Sequence, residues 1–164
     1  MPLRFRFRLT PLDQVTPWSS EYWPHWFGLS DGTYWIELDG HRLLCGRDGG
    51  PFIDYYVCRF WEDLVETTLA LFAGRTHQFY LGYPGDRHNP EFSLRRTKNR
   101  IKIHYHDRID DITVVATVPM KQWLAALAEL DREFVAAMAE RLGGDPKLLA
   151  EHEQRARWVA KALP

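Results

Sequence analysis

At 164 residues, with 45% hydrophobic and 26% charged side chains, the chain has the make-up of one folded domain with an ordinary core. Its 21 basic and 22 acidic residues leave a formal charge of -1, which argues against a protein that grips nucleic acid through phosphate contacts alone. No apolar run reaches the roughly 20 residues that span a bilayer, neither terminus has the shape of a targeting signal, and Cys45 and Cys58 fit neither a zinc spacing nor a disulfide framework, so a cytoplasmic protein without a membrane role is expected.

The first element is a strand over residues 3–9, where Leu3, Phe5, Phe7 and Leu9 alternate with Arg4, Arg6 and Arg8. An aromatic stretch broken by Pro17 and Pro24 reads as irregular as far as Trp26. A three-stranded meander then follows over residues 26–29, 33–38 and 41–45, with Ser30-Asp31-Gly32 and Asp39-Gly40 as its turns. Gly49-Gly50-Pro51 breaks the chain, and Asp54 is placed to cap a helix running to Phe72. Val57, Phe60, Trp61, Leu64, Val65, Thr68, Leu71 and Phe72 give that helix a wide apolar stripe.

Gly82, Pro84-Gly85 and Pro90 mark residues 74–90 as a long loop, with room for a short strand at 78–81. A second meander is predicted over 92–97, 100–106 and 112–118. In its middle strand Ile101, Ile103 and Tyr105 share one face, and Arg100, Lys102, His104 and His106 share the other. Helices over 120–142 and 146–162 complete the chain, the second opened by Asp145 as N-cap and Pro146 as first residue. The expected architecture is a single α+β domain spanning residues 1–164. Its antiparallel sheet or sheets come from the two meanders plus the N-terminal strand, with three helices packed on one face.

Two constellations stand out as binding candidates. Arg95, Arg96, Lys98, Arg100 and Lys102 form a basic cluster with no acidic residue between Glu91 and Asp107. Singly, each is a solvated hairpin residue that also discourages edge pairing; together, they make a surface suited to an acidic protein or to phosphate. Arg4, Arg6 and Arg8 would extend it if the first strand joined the same sheet. The aromatic segment Trp18, Tyr22, Trp23, Trp26, Phe27, Tyr34 and Trp35 is the second candidate; such rings more often pack a loop on its own core. By alternation Trp35 is the ring that turns away from the core. The expected partner-binding residues are therefore Arg100, Lys102, His104, His106, Arg95, Arg96 and Trp35.

A metal site is the weaker reading of the same strand. His104 and His106 project to one side as zinc ligands would, with a third ligand needed from His25, His41, His77 or His88. Arg100 and Lys102 beside them would repel a cation, and Arg108-Ile109 spoil the His-x-His-x-Asp-His pattern of zinc hydrolases. No metal and no cofactor are expected. No catalytic residue is expected either: the chain lacks Gly-x-Ser-x-Gly, a Walker loop and Gly-x-Gly-x-x-Gly.

Residues 5–12 (Phe5-Arg6-Phe7-Arg8-Leu9-Thr10-Pro11-Leu12), Pro17-Trp18, residues 25–32 (His25-Trp26-Phe27-Gly28-Leu29-Ser30-Asp31-Gly32), Ile53-Asp54-Tyr55-Tyr56-Val57 and Trp61-Glu62-Asp63-Leu64 resemble a family of uncharacterised bacterial proteins, a domain of unknown function. The resemblance covers the first seventy or so residues well. It implies a bacterial, intracellular origin and carries over no reaction, ligand or catalytic residue.

The function expected from all this is a non-catalytic protein-binding domain of the immunity or antitoxin kind, which neutralises a toxin by direct binding to an acidic surface. A nucleic-acid-associated module using the basic sheet face is the alternative. A small metal-dependent enzyme centred on His104 and His106 is the third reading.

Overall fold

The computed structural model describes residues 2–15, 26–74 and 90–163, and the backbone at 77–78. Trp18, Tyr22, Trp23, His25 and His88 lie outside the described residues. So does most of the short strand expected at 78–81. Strand β1 (Leu3–Leu9) leads through a 3-10 turn (Leu12–Gln14) to helix α1 (Trp26–Leu29). Strands β2 (Asp31–Leu38), β3 (His41–Leu43) and β4 (Asp54–Tyr56) precede helix α2 (Val57–Phe72). Strands β5 (His77–Gln78), β6 (Glu91–Thr97), β7 (Arg100–Asp107) and β8 (Ile112–Pro119) lead into helices α3 (Met120–Arg141) and α4 (Pro146–Val159).

The architecture is α+β, with two separate four-stranded antiparallel sheets. In the first, β2 pairs with β1 on one side and with both β3 and β4 on the other. The second is a plain ladder in the order β5-β6-β7-β8. Because β1 belongs to the first sheet, Arg4, Arg6 and Arg8 do not join the basic face of the second meander.

The first meander differs from its sequence reading at two points, each for a tertiary reason. Residues 26–29 form a single helical turn rather than a strand, and β1 takes the place beside β2. Gly32 works as a point of close approach, not as a turn: a Cβ there would meet the Arg8 carbonyl oxygen at 2.2 Å, so only glycine lets the β1–β2 ladder close. Asp39-Gly40 is the true hairpin turn, with φ of 50° and 81°, the two positive angles that a type I′ turn requires.

Asp54 does not cap α2. It lies in β4, and the helix begins at Val57 with no side-chain cap. Ser30 does that work from a distance, its carbonyl accepting from Val57 N–H (2.8 Å) and its hydroxyl oxygen from Cys58 N–H (3.3 Å). At α4 the sequence reading holds: the Asp145 carboxylate accepts from Lys147 N–H at 2.9 Å, and Pro146 opens the helix.

Helices α2 and α3 lie against the inner faces of both sheets, and α4 packs on α3 and α1. Alternation puts Leu3, Phe5, Tyr34, Ile36 and Leu38 of the first sheet and Phe92, Leu94, Ile101, Ile103 and Tyr105 of the second into one shared core. Phe5 meets Phe60 and Trp123 edge-on, while Tyr34 stacks on Phe60 at 4.5 Å. The apolar stripe along α3 and its end, Trp123, Leu127, Leu130, Phe134, Met138 and Leu142, is buried throughout. Buried indoles keep their hydrogen bonds where a partner is near: Trp61 donates to Asp131 (2.9 Å) and Trp123 to the Thr68 hydroxyl (2.8 Å).

One buried polar contact joins the two sheets. Leu44, at φ 65°, directs its N–H to the Tyr105 hydroxyl at 3.2 Å. Arg47 and Asp110 bridge the same seam at the surface, 3.1 Å apart.

Candidate functional site: the outer face of the second sheet

The β6–β7 and β7–β8 ladders run without a break, so alternation alone decides what the second sheet shows to solvent. Across β6, β7 and β8 the outer rows are Thr97–Arg100–Pro119, Arg95–Lys102–Thr117, Ser93–His104–Val115 and Glu91–His106–Thr113. Arg95, Arg100 and Lys102 are exposed; His104 and His106 are half-buried. The face is therefore polarised. One end carries the three cations, and none of them has an ion-pair partner among the described residues. At the other end Arg108 pairs with Glu91 and holds that carboxyl below its usual range, mainly through the hydrogen bond.

Arg95 and Lys102 sit directly opposite each other, where like charges disfavour pairing. Arg100 reaches across to the Thr117 carbonyl at 3.4 Å. His106 Nδ1 lies 3.0 Å from the Thr113 hydroxyl, so one histidine of the pair is already engaged within the face. Among the described residues no group of three His, Cys, Asp or Glu side chains is placed to hold a metal ion.

Two of the expected partner residues stand elsewhere. Arg96 has the opposite parity to Arg95 and turns towards the core side, where it donates to Leu71 O (3.5 Å), Phe72 O (3.4 Å) and Lys98 O (2.9 Å). It closes the C-terminus of α2, the end where helix carbonyls favour a cation. Trp35 lies in the first sheet; it is half-buried on the outer face, beside Arg6, with its indole N–H donated to Glu37 at 3.3 Å. On the strands, the basic end of the second sheet is thus built from Arg95, Arg100 and Lys102, with exposed Lys98 in the β6–β7 turn beside them.

Elsewhere cations and carboxylates lie side by side. On the first sheet's outer face a hollow of ≈ 270 Å³ is lined by Arg4, Glu37, His41 and Arg42, and Arg4 and Arg42 flank Glu37 on neighbouring strands. A larger hollow of ≈ 360 Å³ between α2 and α4 is lined by Glu62, Glu66, Glu151, Gln154, Arg155 and Trp158. There Arg155 pairs with both Glu62 and Glu151 and lies 4.3 Å over the Trp26 ring. Nothing in the local sequence pattern points to Arg155.

The geometry defines an α+β fold with a cationic end on the outer face of its second sheet. Residues 4–74 match a family of unknown function, DUF5984. The segments that carry the resemblance in the sequence all lie inside that span. It runs from β1 to the end of α2 and takes in the first sheet, whereas the cationic face lies beyond it. No curated protein and no solved structure matches the chain.

Proposed function

We propose that the protein is a non-catalytic binding domain whose second sheet docks an acidic protein surface. One observation carries this reading: Arg95, Arg100 and Lys102 are exposed together on a rigid ladder, with two like charges directly opposed and no carboxylate among the described residues to neutralise them. A partner's carboxylates would relieve that repulsion and speed encounter electrostatically. An immunity- or antitoxin-type role in a bacterial cytoplasm is the form that suits it best. Covering a toxin's active surface calls for a stiff face of fixed charge and for neither a pocket nor a nucleophile.

The test is affinity for the product of the adjacent reading frame at two salt concentrations, comparing the native chain with the double variant Arg100→Glu, Lys102→Glu. Binding is expected to weaken with salt and to fall at least about tenfold in the double variant, with the melting temperature nearly unchanged because exposed charges add little to folding. Undiminished binding by a folded variant would remove this face from the interface. Salt-sensitive binding to a random-sequence DNA duplex, lost in the same variant, without binding to the protein, would replace this reading with a nucleic-acid one.

A further inference from the structure

Strand β8 is an edge of the second sheet, and its eight residues, Ile-Thr-Val-Val-Ala-Thr-Val-Pro, carry no charge. Natural edges of this length are blunted with lysines, prolines, bulges or a covering element. Here Pro119 stands only at the very end of the strand. The direction of the free backbone groups follows from the register. Met120 N–H donates to Asn99 O at 2.7 Å, just past the Arg100–Pro119 pair, so the odd-numbered residues of β8 turn their N–H and C=O groups away from β7. Thr113, Val115 and Thr117 present these groups along the open edge, and among the described residues the one hydrogen bond to them is the long one from Arg100 to Thr117 O.

Exposed apolar side chains also gather along this edge. Of the five large hydrophobic residues exposed among the described residues, Leu12 and Phe72 lie elsewhere, while Ile109 (47%), Ile112 (37%) and Val115 (56%) lie on β8 and the turn leading into it. Exposed apolar side chains gathered at one edge mark an interaction surface.

The order of residues selects the occupant. Read outward from Val115, the strand is a palindrome in side-chain type: Val114 and Ala116 flank it, then Thr113 and Thr117. We infer that β8 pairs antiparallel with β8 of a second copy of this chain, about a twofold axis at Val115, joining the two second sheets into one. Val115 faces Val115 of the second copy, and Thr113 faces its Thr117. Every outward N–H and C=O of these residues meets a reciprocal partner, and no like charges oppose each other across the seam. Small β-branched pairs fill the outer side, and Val114 meets Ala116 on the inner side. Arg100 swings off Thr117 O to admit the strand, a small change for an exposed side chain at 3.4 Å. This inference stands on the strand edge and not on the charged face, so it does not depend on the proposed function.

Sedimentation across a concentration series reads it on the full chain. The native protein is expected to be a reversible dimer. Val115→Lys places two ammonium groups face to face on the axis and should weaken the dimer at least about tenfold, with little change in the melting curve. An equimolar mixture of Val115→Lys and Val115→Glu should recover the dimer as a heterodimer, because the axis then joins opposite charges. If either variant fails to fold, Thr113→Lys mixed with Thr117→Glu carries the same test, since those positions face each other in this register. A native chain that stays monomeric, a dimer indifferent to Val115→Lys, or a lost dimer that the mixture does not restore would each overturn the inference.

Discussion

The two sheets begin from the same kind of sequence and end with different exteriors. Leu3–Leu9 alternates arginine with hydrophobe, and Arg100–His106 alternates polar side chains with hydrophobes in the same way. On the first sheet, register brings Glu37 beside the arginines and α3 supplies Glu129, so Arg6 lies 3.5 Å from one carboxylate and 3.4 Å from the other. On the second sheet, register sets Arg95 on one side of Lys102 and uncharged Thr117 on the other. A strand's own pattern decides which face is polar. Its neighbours decide whether that polarity is spent inside the molecule or left for a partner.

The largest expected effect comes from cutting the seam that joins the sheets. Tyr105→Phe leaves the buried Leu44 N–H without its acceptor, and an unsatisfied buried donor costs about 1–3 kcal/mol. Chemical denaturation should show that loss with an unchanged denaturant slope; an unaltered midpoint would mean that the sheets are joined by packing alone. Next in size is the charge contrast. Arg6→Met strands two part-buried carboxylates and should cost about 1 kcal/mol, whereas Lys102→Met should stay within roughly 0.5 kcal/mol of the native chain. Equal losses from the two variants would erase the distinction drawn between the faces.

The smallest effect concerns the helix shared by both sheets. Burial pushes the Asp63 carboxyl up to about 6, with Arg59 opposing the rise and Glu66 adding to it. An acid whose folded pKa lies above its unfolded value near 3.9 binds its proton more readily in the folded chain. Its ionised form therefore destabilises the fold above pH 6, and that penalty fades as the pH falls from 6 towards 4. Asp63→Asn should raise the stability at pH 8 by somewhat under about 1 kcal/mol once solvent screening is allowed for, and by nothing near pH 4. Melting curves at the two pH values check the direction, and a gain that grew towards pH 4 would refute it.

Much of the fold could be read from local pattern, because β1 and β7 alternate cleanly and α2 and α3 repeat their apolar residues at helical spacing. What escaped was set by distant partners. Gly32 looks like a turn residue until the Arg8 carbonyl is brought against it, and Asp54 looks like a cap until Ser30 is seen to hold the start of α2. The candidate face was legible in the same measure. Arg95, Arg100 and Lys102 share a surface as alternation requires, while Arg96, their neighbour in sequence, is one residue out of phase and serves a helix end. The open edge of β8 was visible only as a run without charge; its significance depends on the sheet order, which no single strand encodes.

Cys45 and Cys58 are both buried and unpaired, and burial raises both thiols, that of Cys58 to about 12. Thiolate is the reactive form, so neither sulfur can be modified at neutral pH until the chain around it opens. The depth of opening differs. Cys58 sits in α2 at the centre of the core, while Cys45 lies in the loop after β3, bridged to Pro51 and closed by turn hydrogen bonds such as Gly46 N–H to Gly50 O. The unmodified chain thus carries two internal clocks: one timed by the loosening of a loop, the other by the loss of the whole fold.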